Sequence, residues 1–364
     1  MSPQDILLQG ISLAGKVALE IGPLAKPVVT KEMGDVIYVD YADTAFLRRR
    51  YENDPHVDTE KIVDIDAIWG NNTLQEAIGV DKKVDYVIAS HVIEHVPDLI
   101  AWLNELERVL TSDGEVRLAI PDKRYTFDYL RSETRFADVV SANLVRARIP
   151  QSREIIDFAI NKTQIDTAMA WRDKINVSEL PRDFTFDGVM WLVRDAMANG
   201  TYHDVHCWVF TPYSFAKLMQ ELAGAGFVHL SCENFTETAQ DQIEFFITLR
   251  PALDKTKCIE SWRAMCEVIQ HSDRGFNEVA RLKREFQERI AKLELINAEF
   301  RNEVVRLERE FQECNASLQV MDVQLQNCQA LANGYRTSSS WKITAPLRAF
   351  VTILRKVTAW RHSS

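Results

Sequence analysis

Short apolar runs alternate with amphipathic stretches through the first 122 residues. Residues 74–78 and 97–110 have helical apolar spacing, and the second of these ends at the glycine stop Gly114. Strand, helix and strand repeated with short connections predict a parallel, doubly wound sheet. The runs that predict its strands are residues 17–21, 36–40, 61–69, 84–91 and 115–122.

The pattern changes over residues 126–200, where charged, helix-prone segments are interrupted by Pro150 and Pro181. This stretch predicts a helical cap inserted into the sheet domain. A helix from Thr211 to Gly226 then restores the order, and residues 227–233 and 244–249 predict two more strands. The predicted fold class is therefore α/β, with a doubly wound, seven-stranded, mostly parallel sheet over residues 1–252.

Apolar residues recur every seven positions in the region 253–335, which predicts a long α-helical coiled coil and hence a homo-oligomer. The alternative is one helix packed on its own domain. The first position of the repeat is occupied by Val279, Phe286, Leu293, Phe300, Leu307, Cys314, Met321 and Cys328.

The last segment, residues 336–364, differs in charge from the rest. From Val323 onward the chain has six Lys or Arg and no acid, whereas the remainder carries −16. After Pro346 a helix would place apolar residues on one side and basic residues around it, between Trp341 and Trp360. This pattern predicts a helix lying on an anionic membrane, and docking on the same protein is the alternative.

The overall composition excludes some classes of function. A net charge of −10 argues against nucleic-acid binding. The six cysteines lack metal-ligand spacing, the N-terminus lacks signal-peptide character, and no apolar stretch reaches the roughly 20 residues that span a bilayer. We expect a cytoplasmic protein, located at the inner face of the membrane if the tail binds lipid.

Acids follow the apolar runs where strands are predicted to end. Glu20 precedes Gly22 after the first run, Asp40 ends the second, and Asp66 is the candidate tip of the third. Open parallel sheets bind ligands at these carboxyl ends, and a carboxylate there can accept hydrogen bonds from both hydroxyls of a ribose. The alternative is that these acids cap turns.

Residues 12–252 resemble the class I S-adenosylmethionine-dependent methyltransferases of the methyltransferase type 11 kind. The segments Glu20-Ile-Gly22-Pro23, Ser90–Asp98 and Thr211–Phe227 are similar to methyltransferases of bacterial surface-polysaccharide clusters. The resemblance implies S-adenosylmethionine as cofactor. It would place Glu20, Gly22 and Pro23 at the methionine part, Asp40 at the ribose, Asp66 at the adenine amino group, and Ser90 and His91 beside the methyl donor.

The glycine loop departs from the family pattern, because Leu24 and Lys26 stand where the second and third glycines are usual. We expect the loop to follow another path. The same departure argues against a dinucleotide-binding dehydrogenase, whose loop needs those glycines.

Methyl transfer to a hydroxyl needs a base, and the candidates are His91, His203, His206 and Asp122. An alternating backbone over 202–206 is expected to put the rings of His203 and His206 on one face. A divalent metal on those two histidines and an acid is the less favoured alternative, so no metal ligand is assigned. His95 is expected to be structural.

The predicted function is O-methylation of a sugar or glycan precursor in surface-polysaccharide biosynthesis, by a coiled-coil oligomer. The rival is a catalytically silent scaffold that recruits polysaccharide-assembly enzymes. Cofactor binding distinguishes the two.

Overall fold

The computed structural model describes residues 1–70, 72–271 and 273–361. It divides into two compact units, Met1–Glu278 and Val279–Ser364.

The first unit is built on one seven-stranded sheet with the order β3-β2-β1-β4-β5-β7-β6. Strands β1 to β5 pair in parallel, and β7 runs antiparallel to both of its neighbours. This confirms the predicted mostly parallel, doubly wound sheet. The strands are β1 Val17–Ile21, β2 Asp35–Asp40, β3 Ala67–Ile68, β4 Val84–Ser90, β5 Leu110–Pro121, β6 Leu230–Thr236 and β7 Glu244–Pro251.

Helices cover the sheet because their apolar faces need burial. In α4 the side chain of Asp98 caps the first turn by accepting the amide of Ala101, and α9 has a Thr211 cap followed by Pro212. The helices outside the cap region are α1 Pro3–Leu7, α2 Thr44–Arg50, α3 Leu74–Ile78, α4 Leu99–Val109, α9 Pro212–Ala225 and α10 Lys255–His271.

Two predicted boundaries are wrong. The third strand is not residues 61–69 but the two-residue β3, preceded by a 3₁₀ turn at Thr59–Lys61. Gly114 does not stop a helix, because β5 already begins at Leu110. A Cβ atom at Gly114 would lie 2.8 Å from Leu110 Cδ2 and 3.2 Å from the Asp85 carbonyl, so this glycine permits close strand packing instead.

The inserted region is helical, as predicted. Its helices α6 and α8 pack through a small apolar cluster that contains Ile155, Val193, Ala196 and Val205. The cap helices are α5 Phe136–Leu144, α6 Ser152–Asn161, α7 Thr167–Trp171 and α8 Phe186–Asn199, with a 3₁₀ turn at Val177–Glu179.

Helix α10 belongs to the first unit, which corrects the predicted start of the coiled coil at residue 253. Its Trp262 is fully buried in the main core, and the indole nitrogen donates to the Leu230 carbonyl at 2.8 Å. The ring also meets Phe215 of α9 edge-on, with centroids 5.8 Å apart. Residues 255–271 therefore complete the sheet domain.

The second unit is helical. The 65-residue helix α11, Asp273–Thr337, is followed by α12 Ser339–Ile343 and α13 Ala345–Arg361. Apolar seam residues with described side chains, such as Phe300 and Phe311, are exposed in the single chain. The side chains of Val279, Ile296, Lys356, Val357, Trp360 and Arg361, used in the sequence predictions, lie outside the described residues. Among the helices described, none is long and apolar enough to cross a membrane.

We predict that Trp262→Ala lowers the free energy of unfolding by about 3–5 kcal/mol, because it leaves a large cavity in the core and removes one hydrogen bond to the Leu230 carbonyl. Denaturant unfolding of the full chain followed by fluorescence measures this. Trp191→Ala is the matched control, since Trp191 is 61% exposed. Equal losses for the two variants would mean that α10 does not contribute to the core.

Candidate functional site

The Glu20 carboxylate holds the loop that follows β1. Its two oxygens accept the backbone amides of Val28 and Val29 at 2.7 and 2.9 Å. Burial raises the pKa of Glu20 to about 7, against the opposing effect of these two hydrogen bonds. Both oxygens are thus used in shaping the loop, and a direct contact with a cofactor remains a prediction.

The loop turns sharply at Gly22 and Leu24. Gly22 has φ +69°, and a Cβ atom there would lie 3.1 Å from Val92 Cγ2. Leu24, at the position of the second glycine in the usual motif, also has a left-handed backbone, with φ +44°. The loop therefore reaches a glycine-like conformation with a leucine, at some cost in strain. Pro23 lies between them, and its carbonyl accepts the Lys26 amide.

Asp40 ends β2 at the carboxyl edge of the sheet and is 5% exposed. Its Oδ1 accepts the Tyr41 amide at 2.7 Å, and burial raises the pKa of this carboxyl to about 6. Among the described residues no hydrogen bond occupies Oδ2. Asp40 therefore lies at the carboxyl edge of the sheet with one carboxylate oxygen available among the described residues. Such an oxygen could accept a hydrogen bond from a ribose hydroxyl.

Asp66 does not lie at a strand tip. It precedes β3, and its carboxylate accepts the Tyr38 amide at 2.9 Å and pairs with Lys31 at 2.8 Å. Tyr38 is two residues before the end of β2, so Asp66 lies beside the strand and short of the carboxyl edge at which Asp40 is placed. The predicted position of Asp66 at the tip of the third strand is therefore wrong, because that strand begins only at Ala67, and its contact with adenine stays a prediction.

Ser90 and His91 lie at the end of β4, next to β1 in the sheet. His91 has φ +54°, a left-handed backbone that is uncommon for a side chain of this size. Its Nδ1 is 3.6 Å from Glu94 and its Nε2 is 3.7 Å from Glu244. Burial lowers the pKa of His91, but the nearby carboxylates of Glu244 and Glu94 outweigh burial and raise it.

A carboxylate and two more imidazoles lie directly beside His91. Glu94 is 1% exposed, and its Oε1 is 4.0 Å from Nε2 of His95 and 4.0 Å from Nε2 of His206. Among the described residues neither oxygen of Glu94 has a hydrogen-bond partner. We call Glu94, His95 and His206 the Glu–His cluster.

His206 reaches this cluster because its segment docks on the turn after β4. The Glu94 carbonyl accepts the amides of Cys207 and Trp208 at 2.6 and 3.2 Å. The Trp208 indole nitrogen donates to the Val96 carbonyl at 2.6 Å. These bonds join residues about 110 positions apart and fix the backbone on either side of the site.

The two other candidate bases, His203 and Asp122, have protein partners of their own. His203 pairs with Asp195 of α8 at 2.9 Å, so it does not share a face with His206. An interval of three residues in extended backbone turns the two side chains to opposite sides. Asp122 is fully buried and accepts from Arg124 and from the Thr238 hydroxyl. Its role in the structure is to hold the chain after β5.

Glu94 was not among the predicted site residues, and His95, which was expected to be structural, is a member of the Glu–His cluster. His95 Nδ1 lies 2.8 Å from Asp204 and its ring centroid is 4.6 Å from that of His206. The spacing His91-x-x-Glu94-His95 was the available signal, because it concentrates three ionisable groups in one turn at a strand end.

Residues 22–118 match the Methyltransf_11 family model, described as a methyltransferase domain. The matched stretch runs from the loop after β1 to β5 and includes the ends of β2 and β4. Together with the strand order, the match supports a class I methyltransferase domain in the first unit, the class that uses S-adenosylmethionine. No curated protein matches this sequence.

Solved structures similar to this chain are remote. An S-adenosylmethionine-dependent methyltransferase from Clostridium acetobutylicum is 8% identical, covers 68% of this chain and 90% of its own, and has a TM-score of 0.35. The CcbJ methyltransferase from Streptomyces caelestis is 9% identical over 68% and 89%, at 0.35. A structure named as a Zn-dependent alcohol dehydrogenase from Rhodobacter sphaeroides is 14% identical over 68% and 88%, at 0.37. Such similarities carry no inference about activity.

We predict that Asp40→Asn changes the pH dependence of stability. The folded pKa of about 6 lies above the ordinary 3.8, so the native state binds more protons between these values and wild-type stability falls as pH rises through them. Asparagine keeps an acceptor for Tyr41 and removes the charge. From pH 4 to pH 7 the variant should gain up to about 3 kcal/mol relative to wild type in denaturant unfolding. Asp64→Asn, at an exposed acid, is the control, and parallel profiles for Asp40→Asn and wild type would contradict burial of a charged Asp40.

Proposed function

We propose that this protein is an S-adenosylmethionine-dependent methyltransferase and that the cofactor lies along the carboxyl ends of β1, β2 and β4. The observation that carries the proposal is Asp40, which is buried at the end of β2 inside the segment that matches a methyltransferase domain. Only one of its two carboxylate oxygens has a hydrogen-bond partner among the described residues. Asp40 would accept from the ribose hydroxyls. Gly22 and Pro23 would adjoin the methionine part, and Ser90 and His91 would adjoin the sulfonium.

The acceptor group that fits this edge is a hydroxyl. The acceptor oxygen forms a bond to the methyl carbon, the sulfur–methyl bond breaks, and its electron pair stays on sulfur as a neutral thioether. The hydroxyl proton must leave, and His91 is the base at the end of β4. Glu244 makes His91 a better proton acceptor, because its negative charge stabilises the protonated form.

A sugar or glycan precursor is the acceptor we propose, with a role in surface-polysaccharide biosynthesis. The support is the sequence resemblance of the Ser90–Asp98 and Thr211–Phe227 segments to methyltransferases of polysaccharide clusters. We further propose that the protein acts on the cytoplasmic side of the membrane.

A catalytically silent scaffold is the second candidate. Two observations favour it. Leu24 replaces a loop glycine and has a left-handed backbone conformation. The carboxylates of Glu20 and Asp66 already bind groups of the protein itself. Such a scaffold would recruit polysaccharide-assembly enzymes through its long helix.

Calorimetric titration with S-adenosylhomocysteine tests the proposed function. We predict binding to the full chain, and a loss of about 1.5–3 kcal/mol in Asp40→Ala, roughly 10- to 100-fold in Kd, because hydrogen bonds to a charged acceptor are lost. Asp64→Ala should bind as wild type does. A wild-type protein with no affinity for this ligand would support the scaffold instead.

Helix α11 gives reason to propose a homo-oligomer formed through a coiled coil. Its described seam residues, including Phe286, Leu293, Phe300, Leu307 and Phe311, are large and more than half exposed in the single chain. Aromatic and aliphatic side chains repeated along one side of a 65-residue helix are stabilised when equivalent helices bury them.

Helix α13 supports the proposed contact with an anionic membrane. Leu347, Phe350, Val351 and Leu354 are all exposed, and Arg348 packs over the Trp341 ring with 3.7 Å between its guanidinium carbon and the ring centroid. Apolar residues beside a cation and an aromatic ring suit the lipid interface. Gathering several such helices in one oligomer would raise avidity.

Two truncations separate these proposals. Light scattering should show self-association of the full chain and of residues 1–337, and a monomer for residues 1–278, which keep the complete first unit. Only the full chain should sediment with vesicles that contain anionic lipid, less so at high salt. A monomeric full chain would overturn the coiled coil, and equal binding to neutral vesicles would overturn the electrostatic contact.

A further inference from the structure

The Glu94 carboxylate is buried without a hydrogen-bond partner among the described residues. A charged carboxylate in such a place costs several kcal/mol unless a cation compensates it. The groups closest to its Oε1 are imidazole nitrogens: Nδ1 of His91 at 3.6 Å, and Nε2 of His95 and His206 at 4.0 Å each.

Two further acids orient the rings. Nδ1 of His206 lies 2.5 Å from the buried Asp128, and Nδ1 of His95 lies 2.8 Å from Asp204, although the angle at His95 falls short of a good hydrogen bond. A carboxylate at Nδ1 keeps the proton on that nitrogen. In His206 it therefore leaves the lone pair on Nε2, the nitrogen that lies 4.0 Å from Glu94. Metal-binding histidines have this arrangement, in which an outer carboxylate sets the tautomer and the ring orientation.

We propose that Glu94, His95 and His206 form a binding site for a divalent transition-metal ion. The three ligand atoms lie within 4.8 Å of one another. Ligands about 2.1 Å from a common ion are about 3.4 Å apart in a tetrahedral site, so small side-chain rotations would close the cluster around the ion. Two imidazoles and one carboxylate select ions of the zinc, iron, cobalt or manganese class over calcium or magnesium, which prefer all-oxygen sites.

Three protein ligands leave coordination positions open, as in catalytic rather than structural sites. The side chains of His91 and His95 are partly exposed, whereas those of Glu94 and His206 are buried. The role we assign to the ion rests on the proposed function: it would bind the acceptor hydroxyl and lower its pKa, with His91 beside it to take the proton. Adjacent hydroxyls on a sugar would suit two open positions.

The competing explanation is a purely ionic cluster in which protonated histidines neutralise Glu94. It predicts no affinity for metal. Metal binding is therefore measured directly on the full chain after treatment with a chelator. The protein is titrated with Co²⁺, and binding is followed by calorimetry and by the visible absorption of the bound Co²⁺. This absorption reports nitrogen ligands and a low coordination number.

One equivalent of Co²⁺ should bind with visible bands, and Zn²⁺ should displace it. Glu94→Gln and His206→Gln should weaken binding by about 100-fold or more. Asp128→Asn, a positioning variant, should weaken it by about 10- to 100-fold. His229→Ala is the matched control, because His229 also neighbours an acid, Glu107, but lies outside the cluster. Circular dichroism of each variant confirms that it is folded.

Titration of the same samples with S-adenosylhomocysteine keeps the two proposals distinct. Co²⁺ binding that depends on Glu94 supports the metal site even if the cofactor does not bind. Cofactor binding together with no Co²⁺ binding, or Co²⁺ binding that is unchanged in Glu94→Gln and His206→Gln, overturns the metal site and leaves the methyltransferase proposal standing.

Discussion

The candidate site depends on one backbone junction, the Glu94 carbonyl that accepts the amides of Cys207 and Trp208. Trp208 adds a bond from its indole nitrogen to Val96, and its ring is buried in the main core. This junction returns the chain from the inserted helices to the carboxyl edge of the sheet. This junction brings His206 next to Glu94, although about 110 residues separate the two along the chain.

The same edge concentrates buried acids whose environments differ. Glu20 is paired with backbone amides and shapes a loop, whereas Glu94 has only imidazoles around it. Asp122 is also buried but is satisfied by Arg124 and Thr238. A buried acid with a full set of partners is structural, and one without them indicates a ligand. This difference is the reason that Asp40 and Glu94, rather than Glu20 or Asp122, are the acids to which we assign ligands in the proposals above.

Much of the sheet could be predicted from sequence because its strands are short, continuous apolar runs buried on both faces. The start of β1 at Val17 and both bounds of the helix α3 were predicted to the residue. The third strand failed because Ile62 and the residues after it alternate like a strand, although the chain is held as a 3₁₀ turn and loop by contacts with Leu24 and Tyr38. The predicted position of Asp66 at the tip of that strand was wrong with it. The helical region after the sheet domain was predicted to begin at residue 253 because α10 and α11 share a helical period, and only the packing of α10 on α9 and β6 assigns it to the first unit.

By itself the sequence determined the order of elements, the glycine loop and the acid at the end of β2, because periodicity and local backbone preference act over a few residues. Only the tertiary structure decided which ionisable groups meet. His203 and His206 are three residues apart yet face different partners, Asp195 and Asp128, whereas Glu94 and His206 meet across the length of the cap. The reason is physical: a side chain's direction follows from how its segment docks, and docking is set by long-range burial and hydrogen bonding that no local pattern records.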